Sequence, residues 1–316
     1  VLDASLIHAA GAVGASAEAG PYARVERFPS VGSTNDVVRD WLAAGIPEVC
    51  VAVADEQVAG RGRHGRRWVA PPGMALMSSL GFRPTWLAAE DAWRLSAIVA
   101  LAAADAAEDA AGLAEGTIRL KWPNDLVVVH SGPDGVIVGD AGAAEARATR
   151  SEPGSLRKLA GILGESSGLG GGDPRVVIGV GLNAGWPAAE FPPELAASMT
   201  SLHAISGGRP IDREALLDGF LGRLETRIAA LRGGRFDVAG WTARQATTGH
   251  LVTIAGIDGS RTVARALGVD GASGALVVDG PPSRTAAAGP TAGPAGERFV
   301  HAGEVLHVRL DPMGGV

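Results

Sequence analysis

Residues 55–68 read D-E-Q-V-A-G-R-G-R-H-G-R-R-W, and residues 60–67 alone hold four arginines and three glycines. Glycine lets a backbone turn tightly and approach a ligand closely. Guanidinium forks match the oxygens of phosphates and carboxylates. The run is not a P-loop, because the spacing G-x-x-x-x-G-K-[ST] is absent and no lysine ends it. The pattern predicts an anion-binding loop that works through Arg61, Arg63 and Arg66; a solvated basic turn would have the same composition. His64, set between arginines, reads as a neutral loop residue and not as a base.

Three further segments carry polar groups in unusual surroundings. In K-W-P-N-D at 121–125, Pro123 keeps Trp122 out of helix and interrupts a strand ladder. The kink displays Lys121, Asn124 and Asp125 together; taken alone, a strand–turn–strand with a solvated lysine would read the same way. In K-L-A-G-I-L-G-E at 158–165, Lys158 stands at the mouth of a small-residue strand, and Gly161 and Gly164 leave room against the backbone. The strand V-V-I-G-V-G-L-N at 176–183 ends in Asn183 after two glycines, which makes sense only where something packs on it.

The elements that position these groups follow from local signals. Ser33 and Asp36 read as the N-cap and the acidic member of a capping box, opening a helix that Gly45 and Pro47 stop. Strands are predicted at 48–55, 75–82, 117–121, 125–130, 158–165 and 175–182, with helices at 89–111 and 212–231. From residue 250 onward, short strands at 251–255, 262–267, 275–278, 298–301 and 305–310 alternate with Gly and Asp, the texture of a small β-barrel. Residues 1–22 read as a loose lead-in. Segments 131–157 and 281–296, rich in Gly, Ala, Pro and Ser, read as mobile insertions.

Composition narrows the class. The 316 residues carry 28 basic and 34 acidic side chains, a net charge of −6, which argues against nucleic-acid binding by bulk field. The single cysteine, Cys50, excludes an internal disulfide or a multi-cysteine zinc site and reads as a core residue. No apolar run approaches a membrane span, and the first 20 residues lack the basic and apolar regions of a signal peptide. The expected location is the cytoplasm.

Taken together, S-T-N at 33–35, Q-x-A-G-R-G-R-x-G-R-x-W at 57–68, K-W-P-N-D at 121–125, K-L-A-G-I-L at 158–163 and G-V-G-L-N at 179–183 resemble the biotin–protein ligases. G-V-D-x-x-x-G-A-L at 268–276, with A-G-E-V at 302–305, resembles the small SH3-like domain of that family. The resemblance runs from about residue 26 to 310 and implies an α/β fold. Its catalytic domain, at 23–247, would have a mixed sheet with flanking helices, related to class II aminoacyl-tRNA synthetases. An SH3-like β-barrel at 248–316 would follow.

The implied reaction activates biotin with Mg-ATP as biotinyl-5′-adenylate. The biotinyl group then passes to a lysine of a biotin carboxyl carrier domain of an acyl-CoA carboxylase. The same resemblance assigns biotin to Ser33, Thr34, Asn35, Gln57, Gly60, Arg61, Gly62, Arg63, Lys158 and Gly161. It assigns the nucleotide to Arg61, Arg63, Arg66, Trp68, Lys121, Asn124 and Asn183. Arg63, Lys121 and Lys158 would be the catalytic cations. Asn124 and Asp125 would assist Mg²⁺ or the incoming lysine, and no preformed metal site is expected.

One departure is the long 131–157 link, which is normally short in the family. Some relatives also begin with a winged-helix DNA-binding domain, for which the residues before the catalytic domain here are too few. Two other functions share part of this pattern. A lipoate–protein ligase or octanoyltransferase shares the catalytic fold, but the Gly/Arg loop and K-W-P-N-D point to biotin. A biotin-responsive DNA-binding regulator would need a helix-turn-helix and a basic face, so no DNA and no membrane partner are expected.

Overall fold

The computed structural model describes residues 21–130, 155–256, 259–280, 296–301 and 304–309. The expectations for 1–20, 131–154 and 281–295 lie outside these residues. The first part of the chain builds one seven-stranded sheet from β1 (Arg24–Phe28), β2 (Cys50–Ala54), β3 (Ala75–Phe82), β4 (Arg119–Lys121), β5 (Asp125–His130), β6 (Ser155–Ser167) and β7 (Arg175–Asn183). Its strand order is β1-β2-β3-β7-β6-β5-β4. Only β1 and β2 pair in parallel; the other neighbours are antiparallel.

The continuous apolar runs of β2 and β3 are buried throughout, as strands covered on both faces must be. One face is covered by α1 (Thr34–Ala43), whose Val38 and Leu42 pack on Cys50, Ala52 and Val177. The other face is covered by α2 (Trp93–Ala111). The alanines of α2 let it lie close to a second long helix, and Gly112 ends it in the left-handed region at φ 58°. The predicted helix at 89–111 is thus a short 3-10 turn at Ala89–Asp91 followed by α2.

Beyond β7 come α3 (Leu202–Ile205), α4 (Arg213–Arg232) and α5 (Val238–Ala243). α4 packs against α2 within the main core. β1, α3 and α5 carry no periodic signal long enough to read from sequence. The short helices are held by side-chain caps: Ala204 N–H donates to Ser201 Oγ at 3.1 Å, and Gly240 N–H to Asp237 Oδ1 at 2.8 Å.

A second, five-stranded antiparallel sheet follows, made of β8 (Leu251–Ala255), β9 (Arg261–Val269), β10 (Leu276–Asp279), β11 (Glu297–Val300) and β12 (Glu304–Arg309). Its strand order is β11-β10-β9-β8-β12. The link between the two sheets pairs with β4: Leu120 N–H donates to Arg244 O at 2.8 Å and Ala246 N–H to Leu120 O at 2.7 Å.

Arg244 itself is clamped. Its guanidinium reaches both oxygens of Glu108, at 3.1 and 3.0 Å, and Asp105 at 2.6 Å. Glu108 is only 3% exposed, and burial pushes its carboxyl above the ordinary range despite the arginine. Arg244→Met should therefore cost about 3–5 kcal/mol at neutral pH, since a buried carboxylate would lose its partner. A group whose folded-state pKa is raised favours the fold below its unfolded pKa and loses that contribution as pH rises. The deficit should accordingly shrink as the pH falls toward 5, as followed by thermal melts across that range; a pH-independent deficit would contradict the assignment.

The 131–157 insertion is shorter than its sequence suggested, because 155–157 belong to β6 and pair with His130, Val129 and Val128. His130 and Ser155 face each other in register, so a tight hairpin turn can join them. A chain with 131–154 replaced by Asn-Gly should melt within about 2–4 °C of the unaltered protein. A much larger loss would mean that this segment buries core surface.

Candidate active site

A bulge between β5 and β6 sets the site. The register shifts between Leu126 and Val127, leaving Leu159 and Ala160 both in the main core. An uninterrupted strand would put them on opposite faces. Inserting one residue re-aims what flanks it, so Lys158 and Gly161 both line the same cleft. Across the hairpin, Lys158 Nζ lies 2.6 Å from Asp125 Oδ1 and 5.7 Å from the centre of the Trp68 ring. The strand alternation of β7 does the rest. Ile178, Val180 and Leu182 enter the core, and Gly179 and Gly181 open onto the cleft.

Those two glycines are required by the protein's own side chains. A Cβ at Gly181 would stand 2.5 Å from Trp68 Cε2, and one at Gly179 would stand 2.3 Å from Asn35 Oδ1. Trp68 thus lies flat on bare backbone at Gly181 and Gly161, and its Nε1 is buried without a partner among the described residues.

One end of the cleft is neutral and polar. Thr34 donates to Gln57 Oε1 from its backbone N–H at 2.7 Å, and its hydroxyl, 3.0 Å from the same oxygen, has its proton for Ser79. The Thr34 and Ser79 hydroxyls meet at 2.6 Å, and Ser79 donates to Asn35 Oδ1 at 2.6 Å. Ser33, Thr34 and Asn35 are all buried, and Asn35 Nδ2 has no partner among the described residues. Burying such groups is costly unless they are paired, so this end suits an uncharged ligand with several donors and acceptors.

The other end is cationic. Arg63, Arg66, Lys121 and Lys158 line it together with Trp122, Asn124 and Asp125. Arg63 reaches Asn124 Oδ1 at 3.4 Å. Asn124 is pinned by β6, donating through Nδ2 to Ile162 O at 3.0 Å and accepting from Ile162 N–H at 2.8 Å.

Several sequence expectations need correction. Asp36 does not close a capping box. Ser33 has the extended backbone of an N-cap but no side-chain cap bond, and the Asp36 carboxylate instead takes Arg61 at 2.7 and 2.8 Å. Arg61 also reaches Glu165 at 3.3 Å, so its guanidinium is tied to two carboxylates of the scaffold.

Asn183 does not line the cleft. It is buried and donates to Thr200 O at 2.9 Å. Gly60 is not among the lining residues either, and a Cβ there would stand 2.5 Å from Trp68 O. It serves the close pairing of Gly60 with Trp68, whose N–H donates to Gly60 O at 3.0 Å. The other expected residues, Ser33, Thr34, Asn35, Gln57, Arg61, Gly62, Arg63, Arg66, Trp68, Lys121, Asn124, Asp125, Lys158 and Gly161, line one cleft.

The sequence did not single out Ser78, Leu163 and Val305, which also line the cleft, or Ser79, which bonds Thr34 and Asn35. Ser79 had a signal, a hydroxyl pair inside the apolar run of β3; Val305 had none, since it comes from the second sheet. Among the described residues no group of three or more His, Cys, Asp or Glu side chains could hold a metal, and no helix is long and apolar enough to cross a membrane.

Comparison with known proteins places this architecture. Residues 28–183 match the Biotin/lipoate A/B protein ligase family. The chain is 34% identical to a biotin–[acetyl-CoA-carboxylase] ligase of Paracoccus denitrificans, over 77% of this chain and 89% of that protein. It is 30% identical to one of Mycobacterium tuberculosis (strain ATCC 25618 / H37Rv), over 88% of this chain and 86% of that protein. A solved biotin protein ligase from Aquifex aeolicus in complex with biotin and ATP shares the fold, with a TM-score of 0.65, 20% identity, and coverage of 90% of this chain and 99% of that one. The chain belongs to the biotin–protein ligase family.

Three glycines and like charges favour motion of the Gly/Arg loop in the absence of an anion, and the Arg61 pairs oppose that motion. Asp36→Ala combined with Glu165→Gln should free it. Cleavage by trypsin within 61–67 should accelerate several-fold, whereas overall stability should change by only about 1 kcal/mol, as for half-exposed ion pairs. Unchanged cleavage would show that the glycine backbone alone orders the loop.

Proposed function

We propose that this protein is an ATP-dependent biotin–protein ligase that activates biotin as its adenylate and transfers it to a carrier lysine. The observation that carries this reading is the polarity of one cleft. A neutral hydrogen-bonding end at Thr34, Asn35 and Gln57 leads to a cationic end at Arg63, Lys121 and Lys158. Biotin has the same polarity, an uncharged ureido ring and a carboxylate tail. A lipoyl group offers no such hydrogen-bonding head, and the relay through Ser79 therefore favours biotin over lipoate.

In the first step a carboxylate oxygen of biotin attacks the α-phosphorus of ATP, the bond to the β-phosphate breaks, and pyrophosphate leaves. Two anions must meet, so preorganised cations lower the barrier most. Lys158, set by Asp125, and Arg63, set by Asn124, belong to the cationic end and hold the carboxylate and α-phosphate. Lys121 and Arg66 face the remaining phosphates. Trp68 supplies the flat apolar surface over the adenylate. Mg²⁺ arrives with the triphosphate as part of the substrate.

In the second step the neutral amine of a carrier lysine attacks the acyl carbon, forms an amide and expels AMP. The carrier is a biotin carboxyl carrier domain of an acyl-CoA carboxylase. The five-stranded sheet corresponds to the SH3-like barrel of the family at 248–316, after a catalytic domain at 23–247 related to class II synthetases. The setting is cytoplasmic.

Lys158→Ala should lower biotin-dependent ATP–pyrophosphate exchange about 10²–10³-fold, on the order of 3–4 kcal/mol for one such donor. Lys158→Gln should recover little, since it restores length and a donor but no charge. Val263→Ala, on an exposed position of β9, is the control. Normal exchange in Lys158→Ala with failed carrier modification would move Lys158 to the second step. Failure of the unaltered chain to add a biotinyl mass to a carrier domain, given biotin and Mg-ATP, would sink the reading as a whole.

A further inference from the structure

Trp122 stands in the cleft wall, yet its indole points out of the first sheet. It is 6% exposed, and its Nε1–H donates to Gly274 O at 3.1 Å. Gly274 belongs to the turn at 270–274 between β9 and β10, in the second sheet.

That turn is rigid on both flanks. Gly274 has φ +72°, and a Cβ there would stand 2.7 Å from the ring of Trp93. A Cβ at Gly271 would stand 2.4 Å from Val238 Cγ1. Trp93 and Val238 open α2 and α5, and Trp93 meets Phe236 edge-on and Trp241 at a tilt, at centroid distances of 5.2 and 4.9 Å. Inside the turn, Asp270 Oδ2 accepts from Ser273 N–H at 2.8 Å and Ser273 Oγ–H at 2.5 Å, and Gly274 N–H donates to Asp270 O at 2.8 Å. The carbonyl that receives Trp122 is therefore fixed before the indole arrives.

β4 is only three residues long, and Lys121 precedes the Trp122 that the turn holds. An indole is rigid, so one hydrogen bond at its far edge sets the backbone at both neighbours. Val305, fully buried, also reaches the cleft from β12, so the second sheet contributes to the cleft wall directly as well as through Trp122.

We propose that Trp122 is a positioning residue and that the 270–274 turn is its anchor: through this hydrogen bond the C-terminal sheet sets Lys121, the residue before it, against the nucleotide during adenylate formation. The proposal rests on the ligase reading given above. It predicts that a change confined to the turn, outside the cleft, alters the kinetics of the nucleotide and leaves biotin binding alone, because Thr34, Asn35 and Gln57 lie at the other end.

The test uses the full chain. Trp122→Phe keeps an aromatic wall and removes the donor. Asp270→Ala loosens the turn without touching the cleft. Biotin-dependent ATP–pyrophosphate exchange gives kcat and the KM for ATP, calorimetric titration gives biotin affinity and stoichiometry, and melting reports the fold.

Both variants should raise KM for ATP or lower kcat by a combined factor of about three to ten, the weight of one neutral hydrogen bond, with biotin binding unchanged at full stoichiometry. The proposal is overturned if both variants match the unaltered chain. It is also overturned if activity falls only in step with the folded fraction while KM stays constant, or if Trp122→Phe is impaired and Asp270→Ala is not, which would make Trp122 a direct wall of the site. Should Trp122→Phe fail to fold, Asp270→Ala decides alone. Absence of exchange in the unaltered chain would instead remove the ligase reading and this proposal with it.

Discussion

The ion pair of Lys158 with Asp125, 2.6 Å apart across the β5–β6 hairpin, is the contact on which the rest of the site turns. Gathering arginines and lysines around one cleft is opposed by their mutual repulsion, which grows as water is excluded. The fold offsets this by giving the cations fixed counterparts: Asp125 for Lys158, Asp36 and Glu165 for Arg61, and the Asn124 carbonyl for Arg63. The pairs differ in kind. Arg61 is held by two carboxylates of the scaffold and orders its loop. Lys158 shares one carboxylate and keeps its ammonium above the Trp68 face, where an incoming anion can take over part of its coordination.

Room for a ligand is made by leaving side chains out. On the cleft face of the sheet, Gly161, Gly179 and Gly181 present backbone, and the volume a Cβ would fill is taken by Asn35 and Trp68. Each of those residues brings a buried nitrogen without a partner among the described residues, Asn35 Nδ2 and Trp68 Nε1. Unpaired buried donors cost stability, and in a native fold they mark places where a ligand or water completes the set. The two ends of the cleft are thus prepared by one device, a bare strand with a polar side chain laid across it.

Among the described residues, two strips of structure join the 121–125 stretch to the later part of the chain. The link after α5 pairs with β4 through Leu120 and is clamped by the buried contact of Arg244 with Glu108. The C-terminal sheet then returns to the same segment from its other side through Gly274 and Trp122. The short 121–125 stretch is accordingly held between the two sheets, which accounts for how three residues of strand can keep a lysine in place.

Much of this was legible in the residues. The boundaries of β3, β5 and β8 and the cores of α1, α2 and α4 follow from apolar periodicity and from Gly and Pro at their ends, signals that act over a few residues. The Gly/Arg run, K-W-P-N-D and the glycine-bearing strands named the chemistry, because donor type and backbone freedom are local properties. The β5–β6 bulge that turns Lys158 toward Asp125, the diversion of Asp36 from helix cap to Arg61, and the withdrawal of Asn183 to Thr200 were decided only by the tertiary structure. So were the arrival of Val305 at the cleft and the anchoring of Trp122 on Gly274. Each depends on which partner lies opposite after the strands have paired, and a side chain with several acceptable partners chooses among them only when the fold has brought one within hydrogen-bond reach.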